Sequence, residues 1–316
     1  MSDRLAEKKI VITGAAGLVG QNLMIRLKDR GYTNLVGIDK HPANTAILSR
    51  LHPGGEVISA DLARAGPWEQ ALQGADTLII LHAQIGGLKY DEFESNNIVA
   101  TRNLMAAAEH AGISYTVHVS SSVINSQAVD FYTETKKAQE QIVEQSAIPH
   151  CILRPTLMFG WFDRKHLGWL SRFMQRAPVF PIPGSGRYLR QPLYALDFCD
   201  IIIACLERRI SGATYDISGQ LKIDYIDLIR ALKAAVGCRT PIVRIPYSLF
   251  WGLLKLYALM DRNPPFTTQQ LEALVTPDEF EIIDWPGVFG VQPTPLIEAF
   301  EATFNHPEYS RIVLEF

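Results

Sequence analysis

Cysteine is scarce, and what there is follows no metal or disulfide pattern. Cys151, Cys199, Cys205 and Cys238 form no CxxC and no Cys/His ligand spacing, which argues against a zinc module or a disulfide framework. They read as free thiols of a reducing compartment, mostly small buried apolar groups. The eight histidines include no HExxH, so no metal is expected. Positive charge is not in excess: the formal net charge is -3, and no Lys/Arg stripe points to a nucleic-acid partner. Long apolar runs are missing too. The nearest approach to the roughly 18 uninterrupted residues of a membrane span is Ile242 to Met260, which Arg244, Pro246 and Lys255 interrupt. Met1 to Lys9 is polar and lacks the apolar centre of a signal peptide. A cytoplasmic location is the resulting expectation.

What is present is a regular alternation. Apolar runs at Lys9–Thr13, Asn34–Asp39, Glu56–Ala60, Thr77–His82, Tyr115–Ser120 and His150–Arg154 predict strands. Leu18–Arg30, Asn97–His110 and Tyr132–Gln145 predict helices between them. Strands separated by helices imply right-handed crossovers and an α/β, doubly wound parallel sheet. The second half is less regular. Helices are predicted at Leu196–Arg208, Tyr225–Val236, Tyr247–Met260 and Pro295–Phe304, and short strands at Thr214–Ile217 and Pro241–Ile245. Pro178 to Gly186 reads as a loop. The 316 residues divide near Gly160 into a dinucleotide-binding domain, 1–160, and a mostly substrate-binding α/β region, 161–316, with some segments returning to the first. The apolar helix Tyr247–Met260 is read chiefly as core or lid packing.

Residues 10–20 carry the sharpest signal, Ile-Val-Ile-Thr-Gly-Ala-Ala-Gly-Leu-Val-Gly. A strand runs into Gly14, Gly17 and Gly20, and a helix begins there. Glycine allows a tight turn and close backbone approach to a pyrophosphate, and the helix N-terminus offers N–H groups and a positive dipole end. Asp39 closes the second predicted strand, where a carboxylate holds ribose hydroxyls and repels a 2′-phosphate, favouring NAD. Lys40 and His41 beside it leave NADP open. Asp61-Leu62 follows the third strand and can reach the adenine.

Of 11 tyrosines only Tyr132 has a lysine four residues on, Lys136. Positions i and i+4 share a helix face, and a nearby ammonium favours the phenolate. Such a phenol can exchange a proton with a substrate oxygen near neutral pH. Ser120, Ser121 and Ser122 end a predicted strand, at the edge where open parallel sheets bind ligands.

Together these motifs resemble the extended short-chain dehydrogenase/reductases, the family of nucleotide-sugar epimerases, dehydratases and ketoreductases. The resemblance rests on Thr13–Gly20, on Asn97–Leu104, on Ser120–Ser122 with Tyr132-Thr-Glu-Thr-Lys136, on Arg154-Pro155-Thr156, and on Gly186–Arg190 followed by Leu193, Tyr194 and Asp197. It implies Tyr132 as acid/base, Lys136 lowering its pKa, and Ser122 (or Ser121) orienting the substrate oxygen. It implies cofactor contacts from Gly14, Ala16, Gly17, Leu18 and Val19, from Asp39, Asp61 and Leu62, and from Leu81, His82 and Ala83. Asn97, Ser120, Tyr132, Lys136, Pro155 and Thr156 complete that set. Substrate contacts fall to Gln84, Ser121, Ser122, Trp161 and Arg190, the last gripping a nucleotide diphosphate bidentately. A homodimer is also implied.

Three departures narrow this. Only nine residues separate Ser122 from Tyr132, shorter than is usual in nucleotide-sugar epimerases. Val123-Ile124 stand where sugar 4,6-dehydratases carry an Asp-Glu pair, which disfavours that reaction. The runs Arg190–Tyr194 and Phe289–Leu296 resemble the complex I-associated branch, which includes members with structural rather than catalytic roles.

Overall fold

Unbroken aliphatic runs become the centre of a sheet covered on both faces. In a computed structural model, residues 6–126, 130–260, 268–275 and 280–315 are described. Strand β1 (Ile10–Thr13) is buried along its whole length, as is β4 (Thr77–Ile80). With β2 (Leu35–Asp39), β3 (Glu56–Ser59), β5 (Tyr115–Val119), β6 (His150–Pro155) and β7 (Ala213–Ile217) they form one parallel sheet in the order β7-β6-β5-β4-β1-β2-β3. Strand β7 lies beyond Gly160 in sequence yet pairs with β6 from Ala213↔Cys151 to Ile217↔Pro155. Chain order reverses between β1 and β4, so a crevice opens above their carboxyl ends.

Helix α1 (Leu18–Asp29) starts directly after Gly17 and buries Leu23, Met24 and Leu27 against that sheet. Arg26 joins it to helix α6 (Ala195–Arg208) through a two-pronged bond to Asp200, at 2.8 and 2.6 Å. Helix α2 (Pro42–Leu51), unanticipated in the sequence, opens on Pro42 with the His41 side chain capping it. Helix α3 (Ala100–Ala111) continues from a π-turn at Glu94–Val99 and stops at Gly112, whose φ of 74° lies in the left-handed region. Helix α4 (Phe131–Glu144) is started by Asp130, whose carboxylate accepts from the Thr133 N–H at 2.9 Å.

The second half differs from its sequence reading in three places. Residues 161–176, where no element was expected, hold a buried Phe162 and helix α5 (His166–Arg176). Within the expected loop Pro178–Gly186, Phe180–Pro183 pairs in parallel with Ile242–Ile245. The third difference concerns Tyr247–Met260. It forms the expected helix, α8, following α7 (Tyr225–Ala235). Yet Leu249, Leu253 and Leu256 are 55%, 50% and 58% exposed, so this stripe is not core. The sequence shows that the helix is apolar but not which neighbours are left to cover it. No helix among the described residues is long and apolar enough to cross a membrane. The first five residues of the Met1–Lys9 segment lie outside the described residues.

All four cysteines are free; Cys151 and Cys205 approach to 3.9 Å as buried thiols. No group of three potential metal ligands occurs among the described residues.

Candidate active site

The parallel sheet delivers its carboxyl-end residues to one edge. Gly14 leaves β1 with φ 68°, and a Cβ there would stand 2.5 Å from the His82 nitrogen. A Cβ on Gly20 would meet the Ala15 Cα at 2.5 Å. Both positions exclude a side chain so that α1 can begin hard against the turn. No side chain caps that helix at Gly17, and no acidic residue occupies its first turn. The Asp39 carboxylate closes the other side, accepting from the Ala16 N–H at 3.0 Å and the His41 N–H at 3.0 Å. A glycine turn, an uncapped helix start and a carboxylate beside them suit a pyrophosphate and a ribose. Leu18 and Val19 are half-buried behind the turn.

The next residues along the edge are more mixed. The Asp61 carboxylate accepts from its own loop, the Ala63 N–H at 3.0 Å, and Leu62 is buried in the core. Leu81 donates its N–H to the Thr13 carbonyl at 3.0 Å. The His82 ring bridges Thr13 Oγ1 (2.8 Å) and Thr101 Oγ1 (3.0 Å). Burial, with Lys136 and Lys40 adding, pushes His82 down to about 3, so the ring is neutral. Ala83 leads to Gln84, whose backbone is clamped by Asn97. The Asn97 carbonyl oxygen accepts from the Gln84 N–H (2.6 Å), and its amide donates to the Gln84 carbonyl (3.2 Å) and to Thr135 Oγ1 (2.9 Å). The π-turn at Glu94–Val99 turns Asn97 inward to do this.

Helix α4 buries a polar stripe rather than an apolar one: Thr133, Thr135, Lys136, Gln139 and Glu140. Lys136 Nζ donates to the Val119 carbonyl at 3.2 Å and to Gln139 Oε1 at 2.5 Å. Gln139 in turn donates to Thr101 Oγ1 (2.9 Å) and the His82 carbonyl (3.2 Å). Burial pulls Lys136 down to about 7, opposed by Glu140. Glu140 is itself buried and paired with Arg154 on β6. Gln139 and Glu140 were not among the residues singled out from sequence, and Thr101 and Arg154 entered only as members of longer motifs with no role of their own. The signal was available: polar residues at Tyr132 +4, +7 and +8 share one helix face.

Tyr132 differs from its sequence expectation. Burial raises its pKa, the Ser121 hydroxyl opposes the rise, and Asp130 adds to it. Lys136, aimed at Val119 and Gln139, is not the group that lowers it here. Of the two serines the resemblance allowed for this role, Ser121 is the one whose hydroxyl bears on the Tyr132 phenol. Ser121 is the last extended residue after β5, whereas Ser122 has already entered the short 3-10 turn Ser122–Asn125. Ser120 and Thr156, at the ends of β5 and β6, carry buried hydroxyls with no hydrogen-bond partner among the described residues. With Pro155 they form a polar edge suited to an amide-bearing ring.

Two substrate candidates stand apart. Trp161 faces the C-terminal segment, donating its indole N–H to the Ala302 carbonyl (2.8 Å) and meeting the Tyr309 ring at 4.8 Å. Arg190 lies over the Tyr188 ring and donates to the carbonyls of Leu189 and Leu274.

The chain resembles known proteins over most of its length. The family model described as the NAD dependent epimerase/dehydratase family matches residues 10–218. Among curated relatives, a 3 beta-hydroxysteroid dehydrogenase/Delta 5-->4-isomerase of Mycobacterium tuberculosis is 27% identical over 75% of this chain and 72% of its own. A ceramide reductase of Caulobacter vibrioides is 24% identical over 80% and 77%. Subunit 9 of the NADH dehydrogenase [ubiquinone] 1 alpha subcomplex of Arabidopsis thaliana is 27% identical over 81% and 64%. Among solved structures, UDP-glucuronic acid 4-epimerase from Bacillus cereus in complex with NAD superposes with a TM-score of 0.71, 21% identity and coverage of 94% and 97%. The Bordetella bronchiseptica enzyme WbmG in complex with NAD and UDP gives 0.74, 18%, 98% and 97%.

Proposed function

The chain belongs to the NAD dependent epimerase/dehydratase family, and from that premise we propose that it is an oxidoreductase working at a secondary alcohol or ketone, with Tyr132 moving the proton. Bound NAD supplies the hydride acceptor or donor. The observation that carries the reading is Tyr132 half-buried on α4 with the buried Lys136 one helical turn further along, the Ser121 hydroxyl opposing the rise in the phenol's pKa. In alcohol oxidation the Tyr132 oxygen takes the hydroxyl proton; in ketone reduction it returns one. Ser121 holds the same substrate oxygen. Lys136 provides the positive charge on that helix face, and Asn97 fixes the loop at Gln84 that borders the pocket. The turn at Gly14–Val19 and Asp39 hold the dinucleotide, NAD being favoured over NADP, and Ser120 and Thr156 meet its nicotinamide end.

The proposed substrate is a nucleotide-activated sugar, acted on as ketoreductase or epimerase. The solved neighbours with NAD and a UDP group support it. Residues 161–316 would supply most of its pocket, with Arg190 on the diphosphate once it leaves the Leu274 carbonyl. The absence of an Asp-Glu pair at Val123-Ile124 keeps 4,6-dehydration out. A second reading, a lipophilic hydroxy or keto compound, is favoured by a specific observation. The steroid dehydrogenase and the ceramide reductase align over three-quarters or more of this chain. A non-catalytic assembly role, as the complex I relative raises, is disfavoured by retention of Tyr132 and Lys136 together.

The test is NADH absorbance of the purified chain offered UDP-, dTDP-, GDP- and CDP-sugars, then steroid and sphingoid alcohols and ketones. Sugar conversion is followed separately, because an epimerase retains its reduced cofactor. Turnover abolished by Tyr132→Phe with folding intact supports the reading. Complete inertness, with tight NAD binding and isolation in a larger complex, would transfer the case to the assembly role.

A further inference from the structure

The near-neutral charge of the whole chain hides a local asymmetry. From Leu228 to Met260 there is no acidic residue, while Arg230, Lys233, Arg239, Arg244 and Lys255 are all cationic. A groove of about 760 Å³ is lined by Arg230, Lys233, Val243 and Arg244. Its strand, Ile242–Ile245, runs through Pro246 into α8. There Leu249, Leu253 and Leu256 fall at i, i+4 and i+7, one exposed stripe. Val243 (41%) on the strand is exposed too, as are Tyr247 (37%) and Trp251 (39%) on a different face of α8, with Lys255 Nζ 5.1 Å from the Trp251 ring centre. Phe250 and Leu254, on the other side of the helix, are half-buried.

An exposed leucine stripe joined to a basic groove of one charge sign is the mark of a helix lying in a membrane interface. At 1.5 Å per residue, the 14 residues of α8 span roughly 21 Å. That is short of the roughly 30 Å hydrocarbon core, so the helix fits along a bilayer and not across one. We propose that α8 and the basic groove before it dock this protein on an anionic phospholipid bilayer. The leucines enter the acyl boundary, and Arg239, Arg244, Lys233 and Lys255 meet phosphate headgroups. Charge decides against a second copy of the chain. A two-fold contact through this face would set these cations against their own counterparts. Arg230 contributes least, because Asp227 already accepts from it at 2.7 Å. The proposal is independent of the substrate class.

Flotation of the full chain with vesicles tests it. Binding is expected to phosphatidylcholine mixed with phosphatidylglycerol, to weaken with added salt, and to be slight on phosphatidylcholine alone. Leu253→Glu and the pair Arg239→Glu/Arg244→Glu should each reduce it by about ten-fold or more, with melting temperature and NAD affinity unchanged. Trp251 fluorescence should shift to the blue on binding and not in Trp251→Phe. Failure to float with any vesicle, equal binding to neutral and anionic vesicles, or a dimer that Leu253→Glu dissociates would overturn it.

Discussion

Lys136 Nζ donates to the Val119 carbonyl at 3.2 Å, which ties the middle of α4 to the last residue of β5. That bond holds the helix carrying Tyr132 against the strand that leads to Ser121. It also places an ammonium where water does not reach, with a carbonyl and the Gln139 amide oxygen as its polar partners. Neutral acceptors offset little of the desolvation of a charge. The result is a lysine drawn down to about 7.

Stability should therefore depend on pH through Lys136. Its folded value, about 7, lies below its ordinary 10.5. Between the two the folded state holds fewer protons than the unfolded state, so the Lys136 contribution to stability rises as pH climbs from 7 to 10.5. The difference in melting temperature between the wild type and Lys136→Met, measured without cofactor, should change across that window and level off below it. A pH-independent difference would mean that the ammonium is solvated.

The two serines should separate kinetically. The Ser121 hydroxyl opposes the rise in the phenol's pKa, and Ser122 belongs to the following turn. Ser121→Ala is expected to lower kcat/KM by about 10²-fold, with Ser122→Ala within a few-fold of wild type. The reverse order, in steady-state assays on the substrate found above, would restore Ser122 to the role its sequence position implied.

At the glycine turn, backbone strain and steric overlap can be told apart. Gly14→Ala meets both a φ of 68° and a Cβ 2.5 Å from the His82 nitrogen, whereas Gly31→Ala meets only a φ of 84° with nothing nearby. Gly31→Ala should lose about 1–2 kcal/mol. Gly14→Ala should lose more and weaken NAD by at least about ten-fold, as calorimetry and melting curves would record. Equal losses at the two sites would remove close approach to His82 as the reason for Gly14.

Asp39 should set cofactor choice. Replacing it with Ser removes the carboxylate that repels a 2′-phosphate. The NADP-to-NAD affinity ratio should then rise by about ten-fold or more, Lys40 and His41 standing next to the vacated position. An unchanged ratio in titrations with both dinucleotides would take specificity away from Asp39.

The local part of this protein was written in its sequence. Apolar runs of strand length, helical spacing and three glycines in an 11-residue window are properties of neighbouring residues, because backbone dihedrals and side-chain period are set within a few positions. The glycine turn, Asp39 and the Tyr132/Lys136 helix are legible for that reason. The tertiary structure decided what depends on who faces whom. It kept Ser121 extended after β5 and turned Ser122 into a 3-10 turn. It buried Gln139 and Glu140 beneath Lys136, so that desolvation sets the ammonium's pKa and burial sets the phenol's. It also left the leucines of α8 in solvent, because the sheet and its flanking helices had no uncovered face to offer them: an apolar pattern states that a helix has a face to bury, and only the assembled fold determines against what.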